Sequence, residues 1–166
     1  MKYCRHIESK IFREFKDFEP LLRKWKKDNR SIVFTNGCFD LLHRGHAEYL
    51  AKAAEKGDKL IVGLNSDRSV SRLKGAGRPL TDEYSRAFLL SSFQFVSAVV
   101  IFEDDTPQNL IEAVSPDFLV KGNDYTVSEI AGSEWVLAHG GKVETIDLVP
   151  GFSTTLLNEK IINQKK

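Results

Sequence analysis

From residue 31 onward the chain alternates between short runs dense in apolar residues and longer stretches with helical spacing. The runs SIVFTN, KLIVGLN, SAVVIF, DFLVKG and KVETIDL lack the alternation of a strand with one wet face, so they read as strands buried on both sides. Between them the spacing predicts helices. One runs from about His43 to Lys56, with Ala47, Leu50 and Ala54 on one face and Gly57 as its stop. A second starts at Thr81 as N-cap and continues to about Ser92, after a Gly/Pro-containing loop, SRLKGAGRPL. Thr106-Pro107 opens a third, Ser133 to His139 makes a fourth stopped by Gly140-Gly141, and STTLLNEKII is the last. This alternation predicts an α/β fold, a Rossmann-like parallel sheet of about five strands with helices on both faces.

Ahead of the first of these strands, Ile11, Phe15, Phe18, Leu22 and Trp25 are spaced alternately four and three apart, one helical stripe. The pattern predicts an N-terminal helical extension over residues 1–30, kinked or restarted at Pro20 with that proline in its first turn. It either caps the core or joins two subunits in a homodimer. With no internal repeat, low-complexity tract or linker, residues 1–166 are expected to form a single domain.

Composition narrows the class. The chain is 42% hydrophobic and 28% charged, as in ordinary globular proteins. No run approaches the roughly eighteen apolar residues of a membrane span, and the start MKYCRHIESK lacks the apolar core of a signal peptide. A cytoplasmic setting without membrane partners is therefore expected. Cys4 and Cys38 alone give neither a disulfide framework nor a metal-binding cysteine pair. A net charge of +1 gives no general attraction to nucleic acid. The basic run Arg23, Lys24, Lys26, Lys27 and Arg30 reads as charge at a helix C-terminus.

In open parallel sheets ligands gather at the carboxyl ends of the strands. The polar clusters TNGCFD, NSD, KGNDY and PGFSTT lie there. His43 and His46 stand three apart in a first helical turn, where backbone N–H groups are unpaired and the helix dipole is positive. Gly45 between them lets a ligand approach the backbone, and Gly37 does the same for the preceding loop. Two imidazoles in that setting describe a phosphate site. A metal site would need further ligands, and the other histidines are His6 and His139. Gly151, Ser153, Thr154 and Thr155 form a second candidate anion site at the start of the last helix. Lys74, Arg78 and Arg86, in and after the long loop, offer cations suited to a transferring phosphoryl group. Lys121, Gly122, Asp124 and Tyr125 either hold a base or ribose or simply make a turn; Asn65 and Asp67 bind a sugar hydroxyl, help orient the catalytic loop, or cap a turn. Cys38 lacks an evident base partner, so it reads as a wall of the site and not as a nucleophile.

The stretch GCFDLLHRGH resembles the G-x-F-D-x-x-H-x-G-H signature of the nucleotidyltransferase superfamily, and GFSTT resembles its second motif, an I-S-T-T-type segment. The likeness covers about residues 30–162. Within the superfamily, NSDRSVSRLKGAGRPL, FEDDTPQNLI, PDFLVKGNDY and EIAGSEWVLAHGGKV look like the heptose 1-phosphate adenylyltransferases, in the stand-alone form without the sugar-kinase half found in some bacteria. Those enzymes make ADP-heptose for the lipopolysaccharide core. Cytidylyltransferases for glycerol 3-phosphate typically carry R-T-x-G-I-S-T-T, whereas DLVPGFSTT lacks that arginine.

The resemblance implies that His43 and His46 bind the nucleotide phosphates and stabilise the transition state. It implies that Cys38 and Phe39 line the nucleotide pocket, that Ser153, Thr154 and Thr155 hold phosphates, and that Gly151 and Phe152 flank the base. Lys74 resembles the family's loop lysine and Arg86 its helix arginine, both near phosphates. ATP and a sugar 1-phosphate would be the partners, with Mg2+ bridging the triphosphate. Two other readings stay open: a related enzyme using CTP or another phosphorylated acceptor such as glycerol 3-phosphate, and a non-catalytic nucleotide-binding regulator.

Overall fold

A computed structural model of the chain describes residues 1–163. Its centre is a single sheet of six strands in the order β1-β4-β3-β2-β5-β6, every neighbouring pair parallel. The strands are β1 (Ile11–Phe12), β2 (Ile32–Gly37), β3 (Lys59–Asn65), β4 (Val96–Phe102), β5 (Phe118–Gly122) and β6 (Lys142–Ile146). The chain winds outward from β2 through β3 and β4, then crosses to the other side of β2 for β5 and β6. Strand order thus reverses between β2 and β5, and the crevice at their carboxyl ends is where such sheets take ligands.

Successive strand residues point to opposite faces, which divides the apolar runs into two cores. Val33, Leu60, Val62, Leu64 and Val99 join Leu50 and Ala53 of α3 (Arg44–Ala54) and Ala87 and Leu90 of α5 (Glu83–Ser91) on one face. Ile32, Phe34, Ile61, Ala98 and Val100 face the other way. They meet Phe18 and Leu22 of α2 (Phe15–Lys27), Ile111 of α6 (Gln108–Val114) and Val136 of α7 (Ser133–Ala138). The remaining helices are α1 (Lys2–Glu8), α4 (Asp67–Lys74) and α8 (Thr154–Asn163). No helix among the described residues is long and apolar enough to cross a membrane.

The N-terminal region departs from the helical stripe. Ile11 and Phe12 form a sixth, edge strand, in register with Val99 and Val100 of β4, so Ile11 shares the helical spacing of Phe15 only by coincidence. Pro20 lies inside α2 and not in its first turn. Both Pro20 and Lys16, four residues before it, are exposed, so the carbonyl deprived of its amide partner meets water. Part of the expected long loop is helix, because Ser66 caps α4 by accepting from the N–H of Ser69 at 3.1 Å. The N-cap of α5 is Asp82, accepting from Ser85, and not Thr81, whose N–H is drawn to Asp40 instead.

Candidate active site

At the β2–β5 crevice opens a cleft of about 360 Å³, lined by His43, His46, Lys74, Lys121 and Ser153 among others. His43 is the N-cap of α3, and its Nδ1 accepts the backbone N–H of His46 at 3.3 Å. An accepting Nδ1 carries no proton, so in the neutral ring the proton sits on Nε2, free to be donated. The rings of His43 and His46 stack, centroids 3.8 Å apart and planes within 16°. Phe39 packs edge-on against His46 at 5.2 Å. Burial, then the neighbouring His43 and Lys74, push the pKa of His46 down to about 4. Burial also lowers that of His43. Nδ1 of His46 is buried without a hydrogen-bond partner.

Two glycines shape the pocket. A Cβ on Gly45 would sit 3.0 Å from Cβ of Phe152 and 3.1 Å from the ring of His43, so the start of α3 meets the loop before α8 at its bare backbone. A Cβ on Gly37 would come within 3.1 Å of the Phe39 ring. Phe39 itself adopts φ 46°, an uncommon value for a side chain of its size, and that turn directs the loop from β2 towards α3.

Opposite the histidines, Ser153 accepts the N–H of Leu156 at 3.1 Å and thereby caps α8. Ser153, Thr154 and Thr155 line the cleft with Phe152. Two helix N-termini therefore face one space, the arrangement that backbone dipoles and unpaired N–H groups make attractive to phosphates. At the other end, Nζ of Lys121 donates to the carbonyl of Asn36 at 3.2 Å and lies 5.1 Å from the centre of the Tyr125 ring. Burial lowers its pKa. Cys38 also lines the cleft; its thiol donates to Oδ1 of Asn65 at 3.9 Å, and burial raises its pKa despite Lys74 and Arg86 nearby, so it rests as a neutral thiol.

Of the residues singled out from the sequence, the cleft brings together Gly37, Cys38, Phe39, His43, Gly45, His46, Lys74, Lys121, Gly122, Asp124, Tyr125, Phe152, Ser153, Thr154 and Thr155. Gly151 sits just outside, supplying the turn at φ 79°. Four residues expected to meet substrate are engaged elsewhere. Arg86 is fully buried, and its guanidinium donates to the carbonyls of Thr81, Cys38 and Asn65 and to the carboxylate of Asp67 at 2.6–2.9 Å. Asp67 is thereby its counter-ion. The Asn65 amide donates to Ser69 at 3.0 Å, and Arg78 pairs with Asp40 at 2.7 Å. None of the four lines the cleft, although Asp40, the partner of Arg78, does.

The cleft also takes in Asn36, Asp40, Tyr49, Leu148 and Val149, which sequence reasoning passes over. Asp40 was within reach, being the acidic member of GCFD; Tyr49, one turn beyond His46 on α3, ties the helix to the sheet through Thr35 at 2.7 Å and the carbonyl of Val120 at 3.0 Å. Among the described residues no group of three His, Cys, Asp or Glu side chains is placed to hold a metal ion.

A strand-order reversal, a paired-imidazole helix start and a hydroxyl-rich helix start facing it together define a nucleotide-binding α/β domain. The chain belongs to the cytidylyltransferase-like family, whose model matches residues 34–161, and with it to the nucleotidyltransferases. The bifunctional protein HldE of Nitrobacter hamburgensis is 51% identical over 150 residues, which is 90% of this chain and 31% of that protein. The HldE of Campylobacter jejuni is 50% identical over 162 residues, 97% of this chain and 34% of its own length. The chain thus spans about a third of the curated relatives it matches. Among solved structures, a lipopolysaccharide core biosynthesis protein from Thermoplasma volcanium aligns with TM-score 0.60 at 27% identity, over 72% of this chain and 97% of that one. Pantoate-beta-alanine ligase from Francisella tularensis, complexed with beta-gamma ATP and beta-alanine, aligns with TM-score 0.61 over 93% of this chain and 76% of its own. At 14% identity that likeness concerns the fold alone.

Proposed function

We propose that the chain transfers AMP from ATP to D-glycero-β-D-manno-heptose 1-phosphate, releasing pyrophosphate and giving ADP-heptose for the lipopolysaccharide core, in the cytoplasm. The stacked His43–His46 pair at the start of α3, facing Ser153–Thr155 across one cleft, carries the reading. The heptose acceptor is supported by about 50% identity to HldE proteins along nearly the whole chain and by the sequence resemblance.

A phosphate oxygen of the sugar attacks the α-phosphorus of ATP in line, and pyrophosphate leaves from the opposite side. The acceptor is already ionised, so no strong base is required; catalysis is positioning and charge stabilisation. Nε2–H of His43 and the ring of His46 meet the phosphates, Lys74 adds a fixed cation, and the α8 start holds the far end of the triphosphate. Lys121, Asp124 and Tyr125 receive the nucleoside. Magnesium would arrive with the triphosphate, since the protein builds no cage of its own among the described residues; when bound it neutralises phosphate charge.

Pyrophosphate release, assayed with ATP and with CTP against heptose 1-phosphate and glycerol 3-phosphate, tests the assignment. ATP with the heptose should be the productive pair. Preference for CTP and glycerol 3-phosphate would move the chain to the cytidylyltransferases, and nucleotide binding without release for any pair would make it a regulator. Near-normal release by His46→Ala would remove the mechanism.

A further inference from the structure

The carboxylate of Asp40 is engaged on both oxygens. One accepts the N–H groups of Leu80 at 2.6 Å and Thr81 at 3.1 Å, and the other meets Nη1 of Arg78 at 2.7 Å. Its side chain is fully buried, while that of Arg78 keeps 22% of its exposure. Asp40 shares its loop with Cys38 and His43; its three partners all belong to the segment joining α4 to α5. Burial alone would raise the carboxyl pKa, yet Arg78 and the two N–H groups outweigh it and hold Asp40 below the usual carboxylate range.

That segment begins immediately after Lys74. Gly75 and Gly77 stand at φ 91° and 87° with nothing within 4 Å of where a Cβ would lie, so its near end is unpacked. The body of α4 is held by Arg72, paired with Asp105 at 2.7 Å. The bond from Ser71 to the carbonyl of Arg78 closes the segment on its own helix and does not reach the histidine loop. Asp40 makes that connection directly to Arg78, Leu80 and Thr81, whereas Arg86 bridges the same loop only to the far end of the segment, through the carbonyls of Cys38 and Thr81. Lys74 itself is exposed and has no carboxylate partner among the described residues.

We propose that Asp40 is a positioning residue that, by fastening residues 78–81 to the histidine loop, presents Lys74 and the imidazole pair to the same phosphates. A fully buried carboxylate with three donors, one of them charged, is strong enough to hold a glycine-hinged segment against its own entropy. The inference rests on the adenylyl-transfer reading, since it assigns Lys74 a phosphate to meet.

A double-mutant cycle separates this role from a merely structural one. Arg78→Ala and Asp40→Asn are each placed in the wild-type and in the Lys74→Ala background. If Asp40 acts through Lys74, each should lower kcat/KM for pyrophosphate release about 10-fold beside Lys74 and less than about twofold without it. Losses that multiply fully in both backgrounds overturn the proposal. A second readout needs no turnover: cleavage after Lys74 by a lysine-specific protease should quicken about 10-fold in Arg78→Ala, and an unchanged cleavage rate also counts against the latch. Should the wild-type chain release no pyrophosphate with any pair, the functional reading falls, while the cleavage assay still decides whether Asp40 fastens the segment. Should Asp40→Asn fail to fold, Arg78→Ala decides, because its side chain lies partly in solvent outside both cores.

Discussion

The imidazole of His43 is stacked on that of His46 and accepts, through Nδ1, the backbone N–H of the same residue. Two cations would not tolerate a 3.8 Å separation, and protonating Nδ1 of His43 would remove the helix cap. The free protein therefore holds a neutral pair near pH 7, in which His43 donates from Nε2 without carrying charge.

A pH dependence of stability follows from His46. In the unfolded chain it takes a proton near its ordinary 6.5, but in the folded chain only near about 4. Between these values the unfolded state binds more protons, so stability should fall as pH drops from 6.5 towards 4 and be indifferent to this group above 6.5. Urea midpoints taken from about pH 7 to 4.5 for wild type and His46→Asn check the sign. The wild-type midpoint should fall more steeply than the variant's; parallel curves would mean that His46 titrates normally. A bound triphosphate should flatten the wild-type curve, because its charge favours the imidazolium.

His43 has two separable jobs, cap and donor. Asparagine is as good an N-cap as any residue, so His43→Asn should melt within a degree or two of wild type, whereas His43→Ala should lose about 1 kcal/mol. Turnover should fall about 100-fold or more in both, since neither replaces the preorganised Nε2–H donor. Melting curves alongside pyrophosphate release resolve the two. Wild-type turnover in His43→Asn would show that the ring contributes only the cap.

At Gly45, propensity and packing pull in opposite directions. An alanine inside α3 would ordinarily stabilise the helix by up to about 1 kcal/mol, yet its Cβ would press on Phe152 at 3.0 Å and on the His43 ring at 3.1 Å. The side chains that give way are those bordering the proposed triphosphate site. Gly45→Ala should therefore fold normally while binding nucleotide about 10-fold more weakly, read by calorimetric titration. Unchanged affinity would mean that Phe152 and His43 can shift without cost to the ligand.

How much of this was legible in the chain depends on whether the information was local. β2 to β6 announce themselves as apolar runs, and the stretch from Cys38 to His46 encodes its own loop, glycine and helix start within nine residues. β1 is two residues long, and Ile11 and Phe12 become a strand only because β4 offers them an edge. Pro20 reads as a helix start because the sequence does not reveal that its unpaired carbonyl would face water. Asp40 and Arg78 are 38 residues apart, and nothing local distinguishes that arginine from a solvated surface charge.

Arg86 is the sharpest case, because a charge on α5 that reads as a phosphate ligand proves to be wholly buried. It binds three carbonyls, those of Cys38, Asn65 and Thr81, which belong to three segments distant in sequence. Its counter-ion Asp67 keeps 40% of its side chain exposed, so removing the arginine would leave that carboxylate solvated. The penalty would come chiefly from carbonyls losing their donors and from an unfilled buried volume. Lysine, a single ammonium without the planar fork, cannot satisfy four acceptors at once. Arg86→Lys and Arg86→Ala should each lower the unfolding free energy by about 3–5 kcal/mol, measured by urea denaturation, with turnover lost in proportion to the folded fraction. A ligand contact would behave differently: the urea midpoint would stay at the wild-type value while KM for one substrate rose, and that outcome would return Arg86 to the substrate side of the site.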